Sequence, residues 1–246
     1  MKLDAILSPA ELPALARRDL RPTVCVVFDI LRATSTFVTA LHHGAAAIIP
    51  VSEISEAVVL RQKHPDCLLA GERDGVKISA AQSGGVDFDL GNSPREFTPA
   101  TVRGKTIVST TTNGTRALRA CTGAQAVLAG SFLNLAATAT YLQRLTPAEI
   151  LLVCAGTGEG VALEDVLAAG ALAEQLSGKC SDAIQIARQM YAGAQANLTA
   201  ALGSSQNGAR LCAIPELRED VAYCARRDSV SLIAITDASG RLHAQA

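Results

Sequence analysis

Aromatic residues are scarce: the 246-residue chain has five Phe, three Tyr and no Trp, 3% in all. Base-stacking platforms need such rings, so a nucleic-acid partner is not expected. Charge of one sign is missing too. The formal net charge is −1, and no global field would draw the chain to a phosphate backbone or an anionic membrane. No apolar run is long enough to span a bilayer. The opening Met1-Lys2-Leu3-Asp4-Ala5 lacks the apolar stretch of a signal peptide, so a cytoplasmic location is expected. The seven Cys, at 25, 67, 121, 154, 180, 212 and 224, form no C-x-x-C pair. A zinc site or redox dithiol is therefore not expected, and free thiols in a reducing compartment are. Histidine catalysis finds little support among four His: His42 and His43 fall late in a helix, His64 precedes Pro65, and His243 lies in the tail.

What is present is aliphatic. Apolar residues make up 49% of the chain, and with so few rings the core must come from Ala, Val, Leu and Ile. That composition suits buried parallel strands covered by helices. The length fits a single α/β domain over residues 1–246, or two closely packed lobes with a boundary near residue 100. Strands are expected at 23–30, 46–51, 67–71, 106–109, 126–129, 150–154 and 231–236. Helices are expected at 36–43, 52–64 (capped by Ser52 or Ser55), 115–121, 133–145, 163–176, 182–202 and 211–226. This alternation predicts a three-layer α/β/α fold with a largely parallel sheet. Ligands in such folds sit beyond the strand C-termini, so functional residues should lie where a strand stops and a helix begins.

Four segments meet that condition. Asp29-Ile30-Leu31-Arg32-Ala33-Thr34-Ser35 ends one strand in a carboxylate and opens a helix with an arginine and hydroxyls. Asp29 suits Mg²⁺ ligation or attack on phosphorus, Arg32 suits bidentate anion recognition, and Thr34 and Ser35 suit an anion at a helix start. The bland alternative is a helix cap and a surface arginine. The second segment, Ser109 to Arg116, places five hydroxyl side chains between Ser109 and Thr115 around an Asn-Gly turn. Thr111, Thr112, Asn113, Gly114 and Thr115 are its candidate oxyanion contacts, against an ordinary Thr-rich turn. The third, Cys154-Ala155-Gly156-Thr157-Gly158-Glu159-Gly160, is rich in small residues and is followed by Glu164 and Asp165. Gly156 and Thr157 can approach a ligand closely. Glu164 and Asp165 either complement the helix dipole or serve in metal ligation or water activation, with Asp165 the candidate catalytic residue and metal ligand. The fourth, Gly71 to Lys77, contributes Glu72 as a third candidate metal ligand and Arg73 and Lys77 as anion contacts, although charge-dense loops are usually just solvated.

Other phosphatase chemistries fit poorly. Leu31 stands where the second Asp of a D-x-D motif would be. Two C-x₅-R matches exist, Cys67…Arg73 and Cys212…Arg218, but each carries a glutamate that would repel phosphate and oppose thiolate formation.

Taken together, VVFDILRATST (26–36), GERDGVK (71–77), FDLGNSP (88–94), KTIVSTTTNGTRAL (105–118), GSFLNLAA (130–137) and LVCAGT…LED (152–165) resemble the 2-phosphosulfolactate phosphatase family. The resemblance runs from about Val24 past Asp165 and is less distinct in the C-terminal third. It implies an α/β/α fold and Mg²⁺-dependent hydrolysis of 2-phosphosulfolactate to sulfolactate and phosphate, a step of coenzyme M synthesis in methanogens. The chain departs from the family pattern at 79–86 and at Ala162, which bears on specificity and local capping. The expected partner is a small anionic phospho-acid, with no nucleic acid, no membrane, and a homo-oligomer left open. The competing function is a non-catalytic sensor or carrier of a phosphorylated metabolite, which would need no carboxylate-bound metal.

Overall fold

The computed structural model describes residues 1–245. Strand β1 (Lys2–Ile6) and the short helix α1 (Leu12–Leu15) lead into β2 (Thr23–Phe28), α2 (Ala33–His42), β3 (Ala47–Pro50) and α3 (Ile54–Lys63). Next come the hairpin β4 (Leu68–Arg73) and β5 (Val76–Lys77), then two short helices, α4 (Ala80–Ser83) and α5 (Pro99–Val102). Alternation resumes with β6 (Thr106–Thr110), α6 (Gly114–Ala120), β7 (Ala126–Gly130), α7 (Leu135–Leu145), β8 (Glu149–Cys154), α8 (Leu163–Glu174) and β9 (Lys179–Cys180). Helices α9 (Asp182–Ala194), α10 (Leu198–Ser204), α11 (Gln206–Ala213) and α12 (Arg218–Cys224) precede the closing hairpin β10 (Ile233–Thr236) and β11 (Leu242–Gln245).

All the strands join one sheet, in the order β5-β4-β6-β3-β11-β10-β7-β2-β8-β1-β9. Two parallel blocks, β4-β6-β3 and β7-β2-β8-β1-β9, are bridged by the antiparallel C-terminal hairpin. Both blocks draw on strands from either side of residue 100: β6 lies beside β3 and β4, and β7 pairs with β2. Period-2 alternation sets the two core faces. Val24, Val26 and Phe28 of β2 face a cluster with α7, α8 and α9, whereas Cys25 and Val27 face a cluster with α1, α2 and α6. Helices thus cover both faces, giving three layers. Helix α2 is buried from Ala33 through Leu41 and touches β3, β7, β10 and β11.

Several elements differ from the sequence pattern. Ser52 does not cap α3; the N-cap is Glu53, which makes no side-chain cap bond, and the Ser52 N–H donates to Glu56 at 3.3 Å. The single helix expected over 182–202 breaks at a 3-10 turn, Gln195–Asn197, where the Asn197 side chain caps α10 by accepting from Ala200 N. The helical region expected over 211–226 is two helices. Ser205 caps α11, and Pro215, which has no N–H to donate, falls in the break before α12. Strands β1, β5, β9 and β11 are not anticipated, being short or, like His243 and Gln245 in β11, polar. No helix among the described residues is long and apolar enough to cross a membrane.

Candidate active site

A cavity of about 220 Å³ opens at the C-terminal ends of β2, β4, β6 and β8. Asp29, Asn113 and Gly156, from three separate strand-end loops, all line it. So do Glu72, Thr112, Thr157, Glu164 and Asp165, together with Asn207 and Arg210 from α11.

Asp29 ends β2. Its Oδ1 accepts from the Ala33 amide in the first turn of α2 at 3.1 Å. Its main chain is clamped by Thr34, whose Oγ1 accepts from the Asp29 amide and donates to the Asp29 carbonyl, each at 3.0 Å. The start of α6 is the second wall. A Cβ at Gly114 would lie 2.6 Å from Asp29 Oδ2, so only glycine lets α6 approach this closely. Burial pushes the Asp29 carboxyl up to about 7, and the negative charges of Glu72 and Glu164 add to the effect.

Glu72 braces two loops. Its Oε1 accepts from the Thr112 amide at 2.9 Å and the Thr112 hydroxyl at 3.0 Å, and its Oε2 from the Gly75 amide at 2.8 Å. Asp165, in the first turn of α8, joins the ends of β2 and β8: Oδ1 accepts from Ile30 N at 2.8 Å and Oδ2 from Gly156 N at 3.0 Å. Gly156 has φ of +70°, a conformation that favours glycine. Burial, then the charges of Glu164 and Asp29, hold the Asp165 carboxyl well above the usual range. Glu164 is 1% exposed, and its Oε1 accepts from Asn207 Nδ2 at 2.7 Å. Its Oε2 is buried and has no hydrogen-bond partner. Cys154, at the end of β8, is no competing nucleophile, because burial and the nearby Asp165 hold its thiol protonated.

Five acidic residues thus line a small cavity, Asp29, Glu72, Glu164, Asp165 and the exposed Asp74, together with two cationic residues, Arg32 and Arg210. Arg32 has its charge paired: its Nη1 donates to Asp220 and its Nη2 to the Gly75 carbonyl, both at 2.7 Å, with both members of the ion pair buried. The donors available are hard oxygens throughout, although no three acidic, His or Cys side chains among the described residues are grouped closely enough to surround an ion.

The match to known sequences follows this geometry. The family model described as 2-phosphosulpholactate phosphatase covers residues 10–239. The chain belongs to this family. A probable 2-phosphosulfolactate phosphatase of Caldanaerobacter subterraneus is 38% identical over 224 residues, covering 88% of each chain. One from Carboxydothermus hydrogenoformans is 37% identical over 95% of this chain and 92% of its own. Another, from Caldicellulosiruptor saccharolyticus, is 46% identical over 61% of each. Family membership therefore extends through α10, α11 and α12, beyond the motif blocks.

Not every residue singled out from the sequence reaches the cavity. Thr34 and Ser35 spend their hydroxyls on the carbonyls of Asp29 and Ile30 and are fully buried in α2. Thr111 and Thr115 bond to each other across the first turn of α6. Arg73 turns to the backbone of Glu72 and Ser52 and to Thr110 Oγ1. Lys77 is exposed on β5, cross-strand from Glu72. None of these six lines the cavity. Conversely, Asn207 and Arg210 line it without having been singled out, and Glu164, weighed beside Asp165 for metal ligation or water activation, lines it too. The α11 residues had no signal, because nothing local distinguishes Asn207 or Arg210 from surface polar residues.

Proposed function

We propose that the chain is a Mg²⁺-dependent phosphohydrolase that converts 2-phosphosulfolactate, or a similar small phospho-acid, to sulfolactate and phosphate. One observation carries this reading: a buried, unpartnered Glu164 oxygen sits in a cavity that also gathers Asp29, Glu72 and Asp165. Like charges converging out of water are costly unless a proton or a cation accompanies them. A sensor of phosphorylated metabolites would have no use for four such carboxylates. Magnesium takes oxygen ligands and keeps several waters, so a few carboxylates suffice to hold it. Asp29 and Glu164 are the residues to hold the ion, with Asp165 and Glu72 alongside; the ion would neutralise these carboxylates and draw charge from the phosphoryl oxygens.

The protein's own groups do the rest. Asp29, oriented by the Ala33 amide, is the reacting carboxylate, attacking phosphorus itself or taking the proton of an attacking water. Asn113 makes no side-chain cap bond and lines the cavity, where its amide can donate to a phosphoryl oxygen. The Thr157–Gly158 backbone, held open by Gly156, supplies further wall. Asp165 keeps the β2 and β8 loops in register.

The test is phosphate release from 2-phosphosulfolactate, with Mg²⁺ and after chelation. Turnover should vanish in chelator, and Glu164→Gln should lower kcat by at least about 100-fold while the fold is retained. Release that persists without divalent metal, or an undiminished Glu164→Gln, would sink the proposal.

A further inference from the structure

With Arg32 engaged, the cavity's charge balance turns on Arg210. The substrate class carries a phosphate and further anionic groups on a three-carbon skeleton. The charge of Arg32 is already paired with the buried Asp220, and no lysine lines the cavity. Arg210 forms no salt bridge among the described residues; its one side-chain bond is from Nη2 to Asn207 Oδ1 at 3.3 Å. The guanidinium lies against the Gly75 turn, with Cζ 3.9 Å from where a Gly75 Cβ would sit, and thus on the same turn that Arg32 holds.

Asn207 makes the arrangement a built one. It is 7% exposed, and its Nδ2 donates to Glu164 Oε1 at 2.7 Å and to Thr157 Oγ1 at 2.6 Å. With its Nδ2 so committed, its Oδ1 is the atom that steadies Arg210. One amide therefore links the carboxylate cluster, where the phosphoryl group would react, to a free guanidinium at the cavity mouth. Helix α11 carries both residues three apart, on one face.

We infer that Arg210, oriented by Asn207, is the specificity-determining contact for the substrate's second anionic group, a sulfonate or carboxylate. This rests on the phosphohydrolase reading for its substrate class but not for its test. A planar fork matches either group.

The experiment compares wild type, Arg210→Gln and Arg210→Lys in two readouts. The first is steady-state hydrolysis of 2-phosphosulfolactate, 2-phospholactate (no sulfonate) and methyl phosphate (neither anion). The second is calorimetric binding of sulfolactate. Arg210→Gln should cost about 100-fold in kcat/KM on 2-phosphosulfolactate, chiefly through KM, and at least about tenfold less on methyl phosphate. Arg210→Lys should fall between. A penalty that persists on 2-phospholactate assigns the contact to the carboxylate; one confined to 2-phosphosulfolactate assigns it to the sulfonate. Sulfolactate affinity should fall by a similar factor. If wild type hydrolyses none of these but binds sulfolactate in an Arg210-dependent manner, the phosphatase reading fails and this inference stands. Equal losses on all three substrates, or sulfolactate binding that is absent or insensitive to Arg210→Gln, overturn it.

Discussion

Asp29 sits where two helix starts and three other carboxylates meet, and its titration follows from that position. An unfolded aspartate ionises near about 3.9. In the folded chain, burial first and then Glu72 and Glu164 raise the carboxyl to about 7. Between those values the folded state holds a proton that the unfolded state has released. Stability from this group is therefore fully present below about pH 4 and is lost as pH rises through about 7. Asparagine does not titrate. In chelator, the melting temperature of Asp29→Asn minus that of wild type should accordingly increase from about pH 4 to about pH 7 and level off above. A difference that stays constant across this range would mean that Asp29 ionises normally. Excess Mg²⁺ at pH 7.5 should shrink the difference, because a bound ion favours the ionised wild-type carboxylate.

Among elements, the tie between α2 and α12 is the one to break. Arg32 opens the central helix, Asp220 lies in the first turn of α12, and the pair is 2% and 0% exposed. Ser93 Oγ also donates to Asp220 at 2.7 Å, so the loop between α4 and α5 joins the same tie. Removing one member strands a buried charge, at a cost of about 3–5 kcal/mol. Arg32→Lys keeps the charge but cannot reach both Asp220 and the Gly75 carbonyl with a fork. It should lower the melting temperature and reduce kcat/KM on 2-phosphosulfolactate and methyl phosphate by similar factors. The expected contrast with Arg210→Gln is diagnostic: Arg32 shapes the site, and Arg210 reads the substrate. Were Arg32→Lys to discriminate between substrates as Arg210→Gln does, Arg32 would itself be an anion contact.

At the level of the whole molecule, the sheet depends on its last hairpin. β10 pairs with β7 and β11 with β3, so these strands alone join the two parallel blocks. Ala234 and Leu242 also contribute to the core around α2. A chain ending at residue 232 would leave β3 and β7 with open edges and α2 without two of the strands it touches. Such a chain should accumulate as aggregate, and any soluble fraction should lack cooperative thermal unfolding by circular dichroism. A truncated protein that melts cooperatively near the wild-type temperature would show that the blocks fold without the bridge.

The sequence alone determined the three-layer architecture, because strand and helix periods differ and runs such as Val24–Phe28 and Ile150–Cys154 can only be buried on both faces. It also singled out Asp29, Asn113, Gly156 and Asp165, which line the cavity, since each stands at a strand-to-helix junction, where backbone groups are left free for a ligand; Glu72, singled out on the same ground, lines it from within the β4–β5 hairpin instead. Tertiary structure decided which polar side chains face the cavity. Thr34, Ser35, Thr111 and Thr115 turn inward because a hydroxyl beside a helix start finds a backbone or hydroxyl partner within its own turn. Arg32 is claimed by Asp220, 188 residues away in sequence. Asn207 and Arg210 enter the site because Asn207 bonds to Glu164 of α8 and Arg210 lies against the β4–β5 turn, contacts between segments whose local sequences carry no trace of each other.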